Sequence, residues 1–371
     1  MGRKAVTLRE VALKAGVSPS TASRVLNNKP LTVPVTDKTR SKVLGAARAL
    51  GYRPNRLARG LITARTNIIG IYLPVHFDLP HPFARVPTGQ QMGFTVMGAQ
   101  IAGVQAVTGP KDYDLHLFQQ ITDAEGKRRS IDLCMDFIDG LILPTPMHED
   151  CKILQGWDLH TVCIEYNPPE FTGDFGFSSV YLDSLEEVYR VIHGWAEAGH
   201  RRIALILFLN KTAPESRYQL AAYKRALSDA GILLDERLVV EGSPVEDTGR
   251  LIAKRLLKIE PPPTAFFVGR ADNAVSVLRG VKEAGKRCPE DVEIVSWCSD
   301  HAFEATEPQL GALDVPFHVL GMEAARLLCE EIEEGRTVSQ RAVACNLIQR
   351  SSCRLRFNKE PSVSLVGQER G

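Results

Sequence analysis

Residues 7–26 read TLREVALKAGVSPSTASRVL, and this stretch decides the fold of the amino-terminal part of the chain. Thr7 is a good helix cap, and apolar residues then recur at helical spacing until Gly16 ends the segment. Ser18 and Pro19 provide the cap and the first position of a second helix. Because glycine permits the sharp turn between them, the two helices are predicted to form a helix-turn-helix.

The second predicted helix has one apolar face and one face of small hydroxyls with an arginine. Ala22, Val25 and Leu26 are expected to face the core. On the opposite face, Arg24 can reach O6 and N7 of guanine with two hydrogen bonds, and the hydroxyls can contact base edges or phosphates. A solvated helix face is the alternative interpretation. The residues expected to point outward are Pro19, Ser20, Thr21, Ser23 and Arg24.

The charge of the chain is unevenly divided. Residues 1–66 contain 14 lysines and arginines but only two acids, Glu10 and Asp37, and so carry a net charge of +12. Because the whole chain carries +1, the remaining residues carry −11. Such a basic excess in a short stretch is typical of a segment that binds the phosphates of DNA, although charge alone also suits RNA or an anionic membrane surface.

A third helix is predicted from residue 37 to residue 50, with Gly51 as its stop. Val43 and Leu44 are expected on its buried side. The segment that follows can start a helix at Pro54, but this helix is too short to be stable alone. The sequence therefore predicts a three-helix head followed by a segment that needs a partner in order to fold.

From residue 67 onward, strand-like runs alternate with helix-length stretches, which favours parallel sheets with crossover helices. The pattern predicts an α/β body of two doubly wound units. The predicted strands are 68–73, 114–118, 140–143, 161–164, 203–208, 265–268 and 293–297. The predicted helices are about 90–108, 123–136, 183–199, 215–230, 245–259, 272–285 and 317–335.

Composition argues against several other classes of protein. The longest apolar runs, 68–75 and 203–209, fall far short of the roughly 20 residues of a membrane span, and no secretory signal is readable, so a cytoplasmic protein is expected. The eight cysteines form no C-x-x-C pair and are expected to stay thiols. An enzyme or a sugar-binding receptor is the main rival, but no nucleophile elbow, phosphate loop or metal motif is present, and no cofactor or metal is expected.

Residues 7–27, and residues 51–61 after them, closely resemble the lactose/galactose repressor (LacI/GalR) family of transcription regulators. The resemblance implies a sequence-specific DNA-binding repressor that forms a homodimer on a pseudo-palindromic operator and is controlled by a small effector. Weaker similarities extend it over nearly the whole chain. They lie at residues 139–144, 198–204, 315–321 and 347–352.

The resemblance also implies roles for individual residues at the DNA. Pro19 and Ser20 occupy the two positions that choose the operator, and Arg24 is the shared groove contact. Residues 55–62 match a hinge helix, whose leucine, Leu61 in this chain, wedges open a base step in the minor groove. The full set of implied DNA contacts is Thr7, Ser18, Pro19, Ser20, Thr21, Ser23, Arg24, Asn27, Asn55, Arg56, Ala58 and Leu61.

The domain organisation that the resemblance implies has four parts. The body takes the periplasmic-binding-protein fold, in which three crossings of the chain join two halves. The parts are a helix-turn-helix head at 1–53, a hinge helix and linker at 54–66, an effector-binding and dimerisation domain at 67–358, and a tail at 359–371. The predicted halves are about 67–181 plus 311–335, and 182–310 plus 336–358.

Ligands of such bodies bind in the cleft beyond the carboxyl ends of the strands. Here the clamping positions depart from the family pattern, because Gln219 stands where an arginine is usual and Cys298 and Ser299 replace two aspartates. A different ligand is expected, in the first place a carbohydrate or its derivative; a vestigial cleft or a protein partner are the alternatives. The candidate cleft residues are Phe83, Arg217, Gln219, Arg270, Asp272, Trp297 and Asp300.

Overall fold

The chain forms two compact units, Met1–Thr66 and Asn67–Gly371, which we call the head and the body. Among the residues that the structure describes, no helix has the length and apolar character that a membrane span requires. The computed structural model describes residues 6–26, 35–52, 65–73, 88–119, 137–144, 146, 148–165, 176–207, 209, 211, 214–242, 247–335, 338–355 and 366–368.

Local signals set the boundaries of the helices in the head. The amide of Glu10 donates to Thr7 Oγ1 at 3.3 Å, and the Thr7 amide donates to Glu10 Oε2 at 2.7 Å, which closes a capping box. Gly16 and Gly51 end the first and third helices with φ of 67° and 66°, a left-handed conformation that favours glycine. The helices are α1 (Leu8–Ala15), α2 (Pro19–Leu26) and α3 (Asp37–Leu50), as predicted.

The core of the head is a small apolar cluster from all three helices. Helix α3 buries Val43, Ala46 and Ala47 and packs Leu50 against the cluster, which is the spacing of one helical stripe. Leu44, which was expected on this side, is 37% exposed, because it lies one residue outside the stripe. The predicted hinge segment lies outside the described residues except for its last two positions, 65 and 66.

The body alternates strands and helices. Its strands are β1 (Ile68–Leu73), β2 (Asp114–Gln119), β3 (Gly140–Pro144), β4 (His160–Glu165), β5 (Ser178–Asp183), β6 (Ile203–Ile206), β7 (Val239–Val240), β8 (Ala265–Val268), β9 (Glu293–Ser296), β10 (Gly311–Asp314), β11 (Gln340–Ala344), β12 (Asn346–Ile348) and β13 (Val366–Gln368). Its helices are α4 (Thr88–Thr108), α5 (His148–Leu154), α6 (Leu185–Glu197), α7 (Pro214–Asp229), α8 (Thr248–Leu256), α9 (Ala271–Glu283) and α10 (Phe317–Glu334). The predicted helix at 123–136 lies outside the described residues.

Two sheets organise the body, one in each half. The first has the strand order β13-β11-β5-β4-β3-β1-β2, and the second has the order β12-β10-β9-β8-β6-β7. All pairings are parallel except those of the edge strands β13 and β12, which pair antiparallel with β11 and β10. Strands β6, β8 and β9 are buried along their whole length, as expected for parallel strands that are covered by helices on both faces.

Among the described strands, the chain crosses between the sheets at four places, after β5, after β10, between β11 and β12, and between β12 and β13. The crossings correct the predicted halves, which placed 311–335 wholly in the first and 336–358 wholly in the second. Strand β10 instead pairs with β9 in the second sheet, through Gly311 and Val295. Strand β11 pairs with β5 in the first sheet, through Gln340 and Ser179. Long-range pairing, which no local pattern encodes, decides both memberships.

Helices α4 and α10 cross at two glycines, and their backbones touch there. A Cβ added to Gly103 would overlap the carbonyl oxygen of His318, and one added to Gly321 would overlap that of Gln100. Helix α10 begins directly after the second crossing and packs on β4, β5 and β3 of the first sheet. The glycine crossing therefore fixes the position of α4 relative to the segment that connects the halves.

Candidate functional site

The outward face of α2 is polar and open to solvent. Pro19, Ser20 and Arg24 are exposed, and Thr21 and Ser23 are half-buried. The opposite face is apolar, with Ala22 0% and Val25 3% exposed. The expected division of α2 into a core face and an outward face is therefore confirmed.

A cluster of three hydroxyls marks the amino end of α2. The Thr21 amide donates to Ser18 Oγ at 3.1 Å, so Ser18 caps the helix. Ser18 Oγ also lies 2.8 Å from the hydroxyls of Ser20 and of Thr21. Because the unpaired amides at a helix start carry partial positive charge, this end suits a phosphate or an electron-rich base edge.

The described surface of the head is strongly basic. The carboxylate of Glu10 is used in the capping box, where it also accepts from the Thr7 hydroxyl at 3.0 Å. Among the described residues, no carboxylate forms an ion pair with Arg24, so its charge can face a polyanion. The DNA-contact roles of all the residues named from the sequence stay predictions, and Asn27, Asn55, Arg56, Ala58 and Leu61 in addition lie outside the described part of the chain.

In the body, several predicted cleft residues meet at the carboxyl ends of β8 and β9. Gln219 is 1% exposed and its amide donates to the carbonyl of Gly269 at 3.3 Å. Arg270 forms two hydrogen bonds to Asp272, from Nε at 2.9 Å and from Nη2 at 2.6 Å. The pKa of the neighbouring Glu215 is raised above its ordinary value by burial, and the charge of Arg270 opposes part of this increase. Arg270 and Asp272 thus pair with each other, and Gln219 is held by the backbone.

Two further predicted residues differ sharply in exposure. Trp297 is 5% exposed, belongs to the apolar core of the second half and donates its indole N–H to Ser184 Oγ at 3.2 Å. Next to it, burial raises the pKa of the Cys298 thiol to about 12, so this side chain is neutral. Arg217 is exposed on α7. Phe83 lies outside the described residues.

A cavity of about 280 Å³ opens between the halves of the body. Of the predicted cleft residues that the structure describes, Asp300 alone lines it. Thr95 and Val96 of α4 contribute one wall, and Val315 and Phe317, from the second crossing, contribute another. The cavity therefore touches α4, the second sheet and the connection between them, the parts that must shift if the halves rearrange.

Carboxylates outnumber cationic groups in the described polar lining of the cavity. Asp300, Glu304 and Asp314 line it together with Arg350. The guanidinium of Arg350 is 11% exposed and donates from Nη1 to the carbonyl of Leu310 at 2.9 Å. Asp300 accepts a hydrogen bond from the amide of Ala302 at 2.7 Å and so caps the short helix that follows β9.

Sequence reasoning missed most of this lining. Asp314, Val315 and Phe317 lie within or beside a stretch that was noted only as a mark of family resemblance. A signal was present, because this stretch directly follows the strand at 311–314 and leads into a long helix. Segments that connect two halves border the cleft between them, so the stretch could have been named as lining once the crossing was recognised.

Both domains of the chain match described families. Residues 7–55 match the model for bacterial regulatory proteins of the lacI family, and residues 193–353 match that for the periplasmic binding protein-like domain. Over 353 residues the chain is 28% identical to the HTH-type transcriptional repressor CytR of Escherichia coli (strain K12), which covers 94% of this chain and 97% of CytR.

Solved structures share the fold over nearly the whole chain. The complex of the transcriptional regulator CelR with cellobiose matches with a TM-score of 0.63 at 25% identity, covering 94% of this chain and 100% of that one. The lac repressor dimer bound to operator and the anti-inducer ONPF matches with a TM-score of 0.74 at 21% identity, over 94% and 99% of the two chains. The chain thus carries a DNA-binding head of the lacI family of bacterial regulatory proteins and a periplasmic-binding-protein-like body, and the relatives that share this pair of domains are transcription regulators.

Proposed function

We propose that the chain is a repressor that binds a pseudo-palindromic operator as a homodimer and changes its operator affinity when a small effector fills the cavity between the halves. The observation that carries the proposal is the outward face of α2, where Arg24 and the hydroxyl cluster at Ser18, Ser20 and Thr21 stand on a basic head. A helix with this face fits the major groove, where an arginine pairs with guanine.

Specificity in the groove is divided between unlike side chains. Pro19 can offer only apolar contact, which suits the methyl group of a thymine, whereas Ser20 can donate or accept a hydrogen bond. The neighbouring helix start favours phosphates, which position the head without reading sequence. In a dimer the two heads would read half-sites about 34 Å apart.

Control by an effector is supported by the cavity. It is bordered by α4, the second sheet and the second crossing, so an occupant would contact both halves at once. A ligand that contacts the halves better in one arrangement shifts the population toward that arrangement. The relative CelR was solved with cellobiose, which supports a carbohydrate or its derivative as the effector here.

The DNA-binding part is tested by selecting preferred duplexes from a random pool with the full chain and titrating the winner by fluorescence anisotropy. Arg24→Ala is compared with Arg48→Ala, which removes the same charge from an exposed site at the end of α3. We expect Arg24→Ala to lose about 1 to 3 kcal/mol of discrimination against a mutated operator. We expect Arg48→Ala to keep this discrimination. Equal discrimination by both variants would remove α2 from sequence recognition.

A further inference from the structure

The charge of the cavity lining carries an inference about the ligand. Among the described residues, three carboxylates line the cavity, from Asp300, Glu304 and Asp314, together with one arginine, Arg350. His301, which also lines the cavity, is exposed and can donate or accept a hydrogen bond. The lining therefore contains more negative than positive charge.

The charge of Arg350 is already offset within the protein. Its Nη2 lies 3.5 Å from the carboxylate of Glu304, and both terminal nitrogens lie 3.3 Å from Ser299 Oγ. Because the charge of Glu304 balances that of Arg350, no other described arginine of the lining balances the negative charges of Asp300 and Asp314. Within the described part of the body, neither of these two carboxylates forms an ion pair.

Asp300 is half-buried and Asp314 is exposed, and the remaining walls of the cavity place apolar and aromatic surface beside them. Val96, Val315 and Ile348 supply apolar surface, and Phe317 supplies an aromatic ring. Charges act over a lower effective dielectric beside apolar walls than in water, and a ring face attracts a cation. A phosphate or carboxylate in this cavity would meet two unmatched carboxylates, whereas an ammonium would be stabilised by them.

We propose that the cavity takes a monosaccharide-sized ligand that carries a protonated amine, with the ammonium on the side of Asp300 and Asp314 and the hydroxyls on the remaining polar groups. The volume of about 280 Å³ sets the size class, because drug-sized ligands occupy larger pockets. This inference rests on the proposed function, and it names the chemical class of the effector.

The test is a thermal-shift and calorimetric titration of the full chain with glucosamine, galactosamine and mannosamine, each beside its parent hexose and the 6-phosphate of that hexose. We expect at least one amino sugar to raise the unfolding temperature and to bind at least tenfold more tightly than its parent. The 6-phosphates should not bind. Tighter binding of a parent hexose or a 6-phosphate, or no binding by any of the amino sugars, overturns the proposal.

Variants separate the charge effect from a loss of fold. Asp314→Asn and Asp300→Asn keep the side-chain shape, and asparagine can still cap the short helix after β9. Each should weaken the amino sugar about tenfold, since each removes a charge-assisted contact. Asp158→Asn, an exposed site just before β4, is the control and should bind as the parent chain does. If the three variants bind alike, the cavity is not where the amine lies. Operator titration of the same variants without ligand reports on the proposed DNA-binding function independently.

Discussion

Arg270 and Asp272 form a nearly buried ion pair at the carboxyl end of β8, with side chains 11% and 5% exposed and their facing atoms 2.6 Å apart. Removing one partner leaves the other charged and buried. We therefore expect Asp272→Ala to lower the free energy of unfolding by about 3 kcal/mol, measured by urea denaturation of the full chain. The double variant Arg270→Leu with Asp272→Leu should recover most of this loss. A single variant as stable as the parent would contradict the pair's isolation from solvent.

The contact between α4 and α10 predicts that substitutions of two glycines differ in their effect on stability. Gly321→Ala places a methyl group against the backbone of Gln100, so the helices must separate, and we expect a loss of at least about 2 kcal/mol in the free energy of unfolding. Gly98→Ala lies on α4 with nothing within 4 Å of the added atom, and should be neutral or stabilising by up to about 1 kcal/mol. Equal effects at the two sites would refute the close approach.

The hydroxyl cluster on α2 predicts separate roles for two serines. Ser18 caps the helix, so Ser18→Ala should destabilise α2 by about 1 kcal/mol, seen as faster amide hydrogen exchange along it. Ser20 is exposed, and within the described head its hydroxyl accepts no hydrogen bond from a backbone amide. Ser20→Ala should therefore leave amide exchange along α2 unchanged, but it should alter the preferred operator sequence. A change of exchange with Ser20→Ala would assign it a structural role instead.

Glu293 predicts a loss of stability in acid. Burial alone would raise its pKa, but the contact with His200, whose Nε2 lies 3.7 Å from the carboxylate, and hydrogen bonds from the Arg354 amide and Trp195 lower the pKa below its ordinary value. A carboxyl with a lowered folded pKa contributes stability above its unfolded pKa, near 4.3, and this contribution is lost as pH falls through the folded pKa. The urea concentration at the midpoint of unfolding should therefore decrease as the pH is lowered below about 5.

The prediction is tested with Glu293→Gln. The control is Glu290→Gln, at an exposed site just before β9. Glu293→Gln should be less stable at pH 7 and should show a flatter decline in acid than the parent. Glu290→Gln should follow the parent curve. If the stability of Glu293→Gln decreased in acid as steeply as that of the parent, other carboxyl groups would be responsible for the loss.

Much of the head could be predicted from sequence because its signals are local. Thr7, Gly16 and Gly51 set helix ends through contacts within a few residues, and the predicted α1, α2 and α3 are confirmed. Strands such as β1 and β8 were also found, since they are continuous apolar runs. Strand β5 was missed because Ser178 and Ser179 give it a polar start.

The cleft was harder to predict because its geometry depends on distant pairings. Gln219 and Trp297 were named as candidate ligand contacts, yet their polar atoms bond to Gly269 and Ser184. Their roles at the effector stay predictions. Asp314 lines the cavity only because β10 joins the second sheet, a membership that no local pattern indicates.

Strand β11 sits between β5 and β13 in the first sheet, although residues 340–344 follow almost the entire second half in the chain. During synthesis, β5 and its first partner β4 emerge from the ribosome long before its second partner β11 exists. The outer edge of β5 therefore stays unpaired while more than a hundred further residues are synthesised. Contacts of such sequence separation slow folding and expose strand edges to aggregation, so the nascent body completes its first half only after almost all of its second half has been synthesised.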